Sequence, residues 1–535
     1  MSRHSHKQLP ATGDISPAPS KAPAVIAGLG VDVPELRQAR ALWQTGRFDD
    51  ALNLFSAAVR KYPQNLVALV DASRAFGARF EIDRAEEMLD RLAKVGKSNP
   101  EVMHLAGQSY RMIFRPEKAI RCFERALAVN RRNPDTFLEL AVLYERRHHL
   151  AEALAMVEDC LRVEPGYAEA ELFKGRLLRR LKEAAAAEEL FRRLADSEQA
   201  HPLVRAQSWA EIAQKLDQDG DYDGAVQAML LCKEFVRADE KPVLEESGRL
   251  QKVLHDLAHS LTPEHFRRWS AAPLPPPVRK QAVLTSFPRS GTTLLEQVLD
   301  SHPGLVSSDE REMFGRDIFP AMWRSPATPS PTAAALDAVS VERLAAQRER
   351  YFAYVAAALN QPIGDRVHLD KNPPMTLLIP GMLRLFPETR LLIALRDPRD
   401  VVVSCFMQYL PLNTNSVCYL SLERTAARYA HDMGIWLRLR ELLCTPWLEA
   451  RYEDCVRQME HEARRALEFL DLPWDPVVLN YRDRLKEKAV SSPTYEAVSK
   501  PLYTSSIARW KNYQKHLEPC LEVLQPCVEA FGYSG

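Results

Sequence analysis

A chain of 535 residues is too long for a single core, and its length points to about two to four domains. Lysine plus arginine and aspartate plus glutamate number 71 each, which excludes a uniformly basic face for nucleic acid but leaves room for a local cationic pocket. No run approaches the roughly 18 apolar residues of a membrane helix. The nine cysteines are scattered, with no CxxC pair and no zinc-ligand spacing, so packed thiols and no metal are expected.

The first residues, MSRHSHKQLPATGDISPAPSKAP, are polar and rich in Pro and Ser. Residues 1–30 are expected to form a disordered leader, with His4 and His6 in a solvated tail. The apolar run Ala24 to Val31 is short, is broken by glycines and lacks a cleavage pattern, so a cytoplasmic location is expected.

An internal period organises the residues after this leader. Ala51, Ala85, Ala119, Ala153 and Ala187 recur in phase, and Ala225 continues the series. Four positions after each alanine stand Phe55, Leu89, Phe123, Val157, Phe191 and Met229. Twelve before stand the small residues Ala39, Ser73, Gly107, Ala141, Gly175 and Ala213, and nine before stand Leu42, Phe76, Tyr110, Tyr144, Leu178 and Leu216. Small residues let paired helices approach closely, and large ones fill the groove between them. Tyr62-Pro63, Asn99-Pro100, Asn133-Pro134 and Glu164-Pro165-Gly166 mark places where a helix should stop. The pattern resembles the tetratricopeptide repeat, which implies an N-terminal α-solenoid over residues 31–260. Such arrays commonly hold a protein or peptide partner on a concave face. A pure scaffold or dimer surface is the competing reading.

Leu257 to Trp269 reads as helix, and the Pro-rich stretch Ala271 to Val278 then breaks the pattern. A linker is expected over 261–280, with a second domain over 281–535. It opens on an apolar run suited to a strand, Ala282 to Phe287, and a helix is predicted over Thr292 to Leu299. Between them, Pro288-Arg289-Ser290-Gly291-Thr292-Thr293 makes a tight turn into a helix start. That arrangement aims backbone N–H groups and the positive end of the helix dipole at one anion. Arg289 adds a charged fork. No lysine follows Gly291, so the nucleotide-hydrolysing pattern GxxxxGK[ST] is not met.

The residues SFPRSGTT resemble the 5′-phosphosulfate loop of sulfotransferases, and further segments keep the family's order. In ETRLLIALRDPRDVVVSCF, a strand over Arg390 to Leu395 is followed by Arg396 and, two helical turns on, Ser404. This resembles the family's 3′-phosphate site. A salt bridge from Arg396 to Asp397 or Asp400 is the plainer reading. VSSDEREMF resembles the region of the protein-tyrosine sulfotransferases that carries a catalytic glutamate, at Glu310 here, with Asp309 as the neighbouring alternative. Glu312 stands where those enzymes have arginine. Lys371, in His368-Leu369-Asp370-Lys371-Asn372-Pro373, matches the family's DK-x-P segment, and Tyr452 matches a strand-end tyrosine that lies against adenine. Ser492 and Lys500 match the closing C-terminal loop. His302 reads as a helix-end cap and Trp510 as core.

The resemblance covers about Ala282 to Tyr513, and the whole chain is similar to bacterial proteins that join tetratricopeptide repeats to a sulfotransferase. It implies an α-solenoid followed by a P-loop-like α/β domain with a central parallel sheet. It also implies transfer of a sulfuryl group from 3′-phosphoadenosine 5′-phosphosulfate to a hydroxyl of a peptide tyrosine or a carbohydrate. In that reading Glu310, Lys371 and Arg289 are catalytic. Arg289, Ser290, Gly291, Thr292, Thr293, Arg396, Ser404, Tyr452, Ser492 and Lys500 hold the donor, and no metal takes part. The alternative is a repeat-bearing adaptor whose second domain is non-catalytic or resembles a nucleotide kinase.

Overall fold

The structure, a computed structural model, describes residues 31–273, 280–325, 328, 330–483 and 504–533. Two compact units make up the chain: Met1–Ala187 with Phe352–Pro362, and Glu188–Tyr351 with Ile363–Gly535.

The first unit is built from helix pairs in the predicted phase. They begin with Pro34–Gln44 and Phe48–Lys61, then Leu66–Ala78 and Ile82–Val95, Pro100–Met112 and Pro116–Val129, and Pro134–Arg146 and Leu150–Val163. The phased small and large residues meet one another. A Cβ on Gly107 would lie 2.6 Å from Cε1 of Phe123, so the glycine is what lets those two helices close. Ala51, Ala85, Ala119 and Ala153 are fully buried with Phe55, Leu89, Phe123 and Val157 in one continuous core.

The Asn-Pro signals start the next helix as well as ending the last. Pro100 and Pro134 take the first helical turn, where a missing N–H costs nothing. Asn99 and Asn133 cap those helices by accepting from backbone N–H groups of Val102 and Thr136. A second period emerges between the helices of each pair. Phe80, Phe114, His148 and Lys182 all have φ between +59° and +69°, and Gly46 and Gly220 take the corresponding turns. The left-handed turn is thus imposed by the packing of the pair, since only two of the six positions carry the residue that adopts it freely.

In the second unit five parallel strands form one sheet: β1 (Gln281–Thr285), β2 (Leu305–Ser307), β3 (Val367–Lys371), β4 (Arg390–Leu395) and β5 (Trp447–Arg451), in the order β2-β3-β1-β4-β5. All of β1 is buried, as a central strand covered on both faces requires. The helix Thr292–Asp300 follows it and seats Leu294, Leu295, Val298 and Leu299 on Ala282, Leu284, Leu369 and Leu392. Residues alternate along β3. Leu369 faces that helix, while His368 bonds Gln281 at 2.7 Å and Asp370 accepts from the Tyr351 hydroxyl at 2.5 Å.

The single helix expected over Leu257 to Trp269 is two, Glu240–Ser260 and Pro263–Ser270. Extended backbone at Leu261 and Thr262 separates them, and Thr262 with His265 forms a capping box for the second. The helices Pro202–Gln218 and Tyr222–Arg237 belong to this unit and are tied to its C-terminal segment. Asp217 pairs with Arg509 at 2.6 Å, and Asp223 with His516 at 2.8 Å. No helix among the described residues is long and apolar enough to cross a membrane.

Candidate active site

The C-terminal ends of β1, β3, β4 and β5 deliver the expected residues to one edge of the sheet, where open parallel sheets bind ligands. After β1 the chain turns sharply, with φ of +73° at Arg289 and +96° at Gly291, and enters the helix at Thr292. Ser290, Thr292 and Thr293 are buried at this turn. A Cβ on Gly291 would sit 2.7 Å from Cδ2 of Tyr452, the first residue after β5, so only glycine serves there. Tyr452 therefore packs its ring on the turn, and the Arg396 guanidinium lies 5.0 Å over the same ring.

Arg289 and Arg396 are held from both sides. Nε of Arg289 donates to Oγ of Ser404 at 3.1 Å. Arg396 donates to the carbonyl of Arg289 at 3.2 Å and to that of Ser506 at 2.7 Å. The salt bridge weighed for Arg396 is long, 4.0 Å to Asp400, and Asp397 pairs instead with Arg399 at 2.7 Å. Nε of Arg396 is buried with no hydrogen-bond partner among the described residues. An orphaned guanidinium donor beside a second arginine, a serine hydroxyl and a helix start fits a polyanionic ligand.

Two strands of register connect this cradle to Lys371, which stands opposite Leu284 at the end of β3. Its ammonium is enclosed by three carboxylates: Glu310 at 2.7 Å, Asp309 at 3.0 Å and Glu296 at 3.2 Å. Burial opposes the charge on Lys371, but Glu296, Glu310 and Asp309 outweigh it and hold the ammonium well above the usual lysine range. The side chains of Lys371 and Glu296 are 0% exposed, Asp309 is 11% exposed and Glu310 is 33% exposed. Of the three acids, Glu310 is the one open to an incoming hydroxyl. The arrangement pairs an accessible base with a fixed cation beside an anion cradle.

Residues 282–476 match the model of the Sulfotransferase family, and residues 42–108 and 138–202 match tetratricopeptide-repeat models. The chain joins tetratricopeptide repeats to a sulfotransferase-family domain. An uncharacterized protein of Aquifex aeolicus is 25% identical over 327 residues, which is 60% of this chain and 42% of that one, so this chain spans under half of its length. Protein-tyrosine sulfotransferase 1 of Danio rerio is 24% identical over 262 residues, 46% of this chain and 70% of that protein. Among solved structures, the sulfotransferase domain from the Synechococcus PCC 7002 olefin synthase aligns over 49% of this chain and 100% of its own. Its identity is 22% and its TM-score 0.32.

Several residues of the sulfotransferase-family domain escape a motif search. Glu296 lies in LLEQVL, where the helical spacing of leucines and valine hides a buried charge; no local signal marks it, because its burial shows only once the helix is packed on the sheet. Asp400 accepts from the backbone N–H groups of Ala508 at 2.9 Å and Trp510 at 2.7 Å, anchoring the segment whose Ser506 carbonyl meets Arg396. Burial raises the Asp400 carboxyl to about 6. His302 is structural: its ring bonds the Gly304 N–H and the Pro473 carbonyl. Trp510 is buried, with the Arg399 guanidinium 4.0 Å from its ring. Ser492 and Lys500 lie outside the described residues. Among the described residues no group of three or more His, Cys, Asp or Glu is arranged to hold a metal ion.

Proposed function

We propose that the protein transfers a sulfuryl group from 3′-phosphoadenosine 5′-phosphosulfate to a hydroxyl, that of a peptide tyrosine or of a carbohydrate. The observation that carries this reading is the 2.7 Å pair of Glu310 and Lys371 beside the Arg289–Ser404–Arg396 cradle. Arg289, Ser290, Gly291, Thr292 and Thr293 hold the phosphosulfate, and Arg396 with Ser404 holds the 3′-phosphate. Tyr452, Ser492 and Lys500 complete the donor site. When bound, the donor supplies a sulfuryl group on a good leaving group.

Glu310 takes the proton of the acceptor hydroxyl as that oxygen forms its new S–O bond. The S–O bond to the phosphate breaks, and adenosine 3′,5′-bisphosphate departs with the bonding electrons. Lys371 and Arg289 meet the negative charge that grows on the departing oxygen, and positioning and charge stabilisation supply most of the rate. No resident metal is required in this scheme. The repeats hold a protein or peptide partner, and the scattered thiols support a cytoplasmic location.

Calorimetry with adenosine 3′,5′-bisphosphate and with ATP tests the site. Tighter binding of the bisphosphate is expected; tighter binding of ATP, or no binding of either, overturns the reading. Incubating a cell extract with enzyme and ³⁵S-labelled donor then identifies the acceptor class.

A further inference from the structure

The Glu296 carboxylate is buried in the middle of the helix Thr292–Asp300, in a place that the proposed chemistry leaves unused. Its two oxygens are engaged separately. Oε1 accepts from the Ser307 hydroxyl at 2.5 Å, and Oε2 accepts from Gln297 at 3.3 Å and lies 3.2 Å from Nζ of Lys371. Ser307 is itself held, since its N–H donates to Asp300 one helical turn beyond Glu296, at 2.7 Å. Helix and β2 thus lock this carboxylate in one rotamer. Glu310, by contrast, is one-third exposed, and Asp309 sits on left-handed backbone at φ +56°.

We propose that Glu296 is a positioning residue, a fixed buried counter-ion that keeps the Lys371 ammonium in line with Glu310 and the cradle. The role rests on the proposed sulfotransferase activity. Without Glu296, Lys371 would be held only by Asp309 and Glu310, two acids on the loop after β2, and would move with that loop. With Glu296 as an immobile anchor, Lys371 remains charged while it shares its donors between Glu310 and an incoming anion.

Glu296→Gln tests this, because it keeps the shape and removes the charge. Lys371 then loses its fixed partner and is left to Asp309 and Glu310. Turnover is expected to drop about 10-fold or more while the KM for the donor stays within about 3-fold. Affinity for adenosine 3′,5′-bisphosphate stays within about 3-fold, because the cradle is untouched. Glu296→Asp keeps the charge and recovers turnover that Glu296→Gln loses. Ser307→Ala, which frees the anchor with little change in volume, lowers turnover in the same direction and decides the matter should both Glu296 variants unfold.

The ¹⁵N signal of the Lys371 ammonium, assigned with Lys371→Arg, reads the loss of the anchor with no donor or acceptor present: its protons exchange with water faster in Glu296→Gln than in the wild type. A wild type that transfers no sulfuryl group overturns the proposed function, whereas wild-type turnover and an unchanged Lys371 signal in Glu296→Gln overturn this role.

Discussion

Nε of Arg289 and Oγ of Ser404 lie 3.1 Å apart, joining the turn after β1 to the helix after β4 across 115 positions of sequence. The contact makes the two halves of the cradle a single unit: Arg289 is aimed by Ser404, and its carbonyl in turn receives Arg396.

Arg396 is the sharpest probe of the proposed donor site, because its buried Nε has no partner among the described residues. Arg396→Ala is expected to weaken binding of adenosine 3′,5′-bisphosphate by about 1.5–3 kcal/mol, or about 10- to 150-fold. Adenosine 5′-phosphate, which lacks the 3′-phosphate, should lose much less. Calorimetry with both nucleotides checks this, and equal losses would remove the 3′-phosphate assignment.

Glu310→Ala separates binding from chemistry. It removes the most accessible of the three acids around Lys371 while leaving the cradle intact. Turnover is expected to fall about 10²- to 10⁴-fold with donor affinity nearly unchanged. A variant that retains wild-type single-turnover rates would move the base to Asp309.

Gly291→Ala meets two obstacles, a φ of +96° and a Cβ 2.7 Å from the Tyr452 ring. The turn must shift, so nucleotide affinity is expected to fall about 10-fold or more while the helical circular-dichroism signal persists. Adding Tyr452→Ala relieves the clash but not the backbone strain, and recovers only part of the loss.

Asp370 carries a pH signature. Burial raises its folded-state carboxyl to about 7, while Tyr351 and Lys371 pull the other way. In the unfolded chain the value is about 3.9. Between those limits the folded state binds the extra proton. The associated stability is therefore full below about pH 4 and is lost as pH rises through about 7, at no more than about 1.4 kcal/mol per pH unit. Asp370→Asn keeps an acceptor for Tyr351 and removes the titration. Urea midpoints measured from pH 5 to pH 8 should fall for the wild type relative to this variant; parallel curves would refute the assignment.

The elements most visible in the sequence are those built from local pattern. Ala51 through Ala225 announced the helix pairs because each repeat must bury the same face against its neighbour. Ala282 to Phe287 and Arg390 to Leu395 stood out as strands because a sheet buried on both sides demands largely apolar runs; the first strand runs from Gln281 to Thr285. Other features carry no local signal. Phe114 and Lys182 do not look like left-handed residues, yet the paired helices around them leave no other turn. The break at Leu261 and Thr262 did have a local signal, Thr262-Pro263, a capping residue before a first-turn proline; its capping partner is a histidine in place of the usual Glu or Gln.

By itself the sequence determined the phased helical array, the strand–turn–helix cradle and the chain order of Arg289, Glu310, Lys371 and Arg396, since each rests on residues within a few positions of one another. Only the tertiary structure decided that Glu296 and Lys371, 75 positions apart, share a buried ion pair, and that Tyr452 closes on Gly291. The strand order is the reason: it sets β3 and β4 on either side of β1 and brings β5 alongside, contacts that depend on which distant strands pair and not on local propensity.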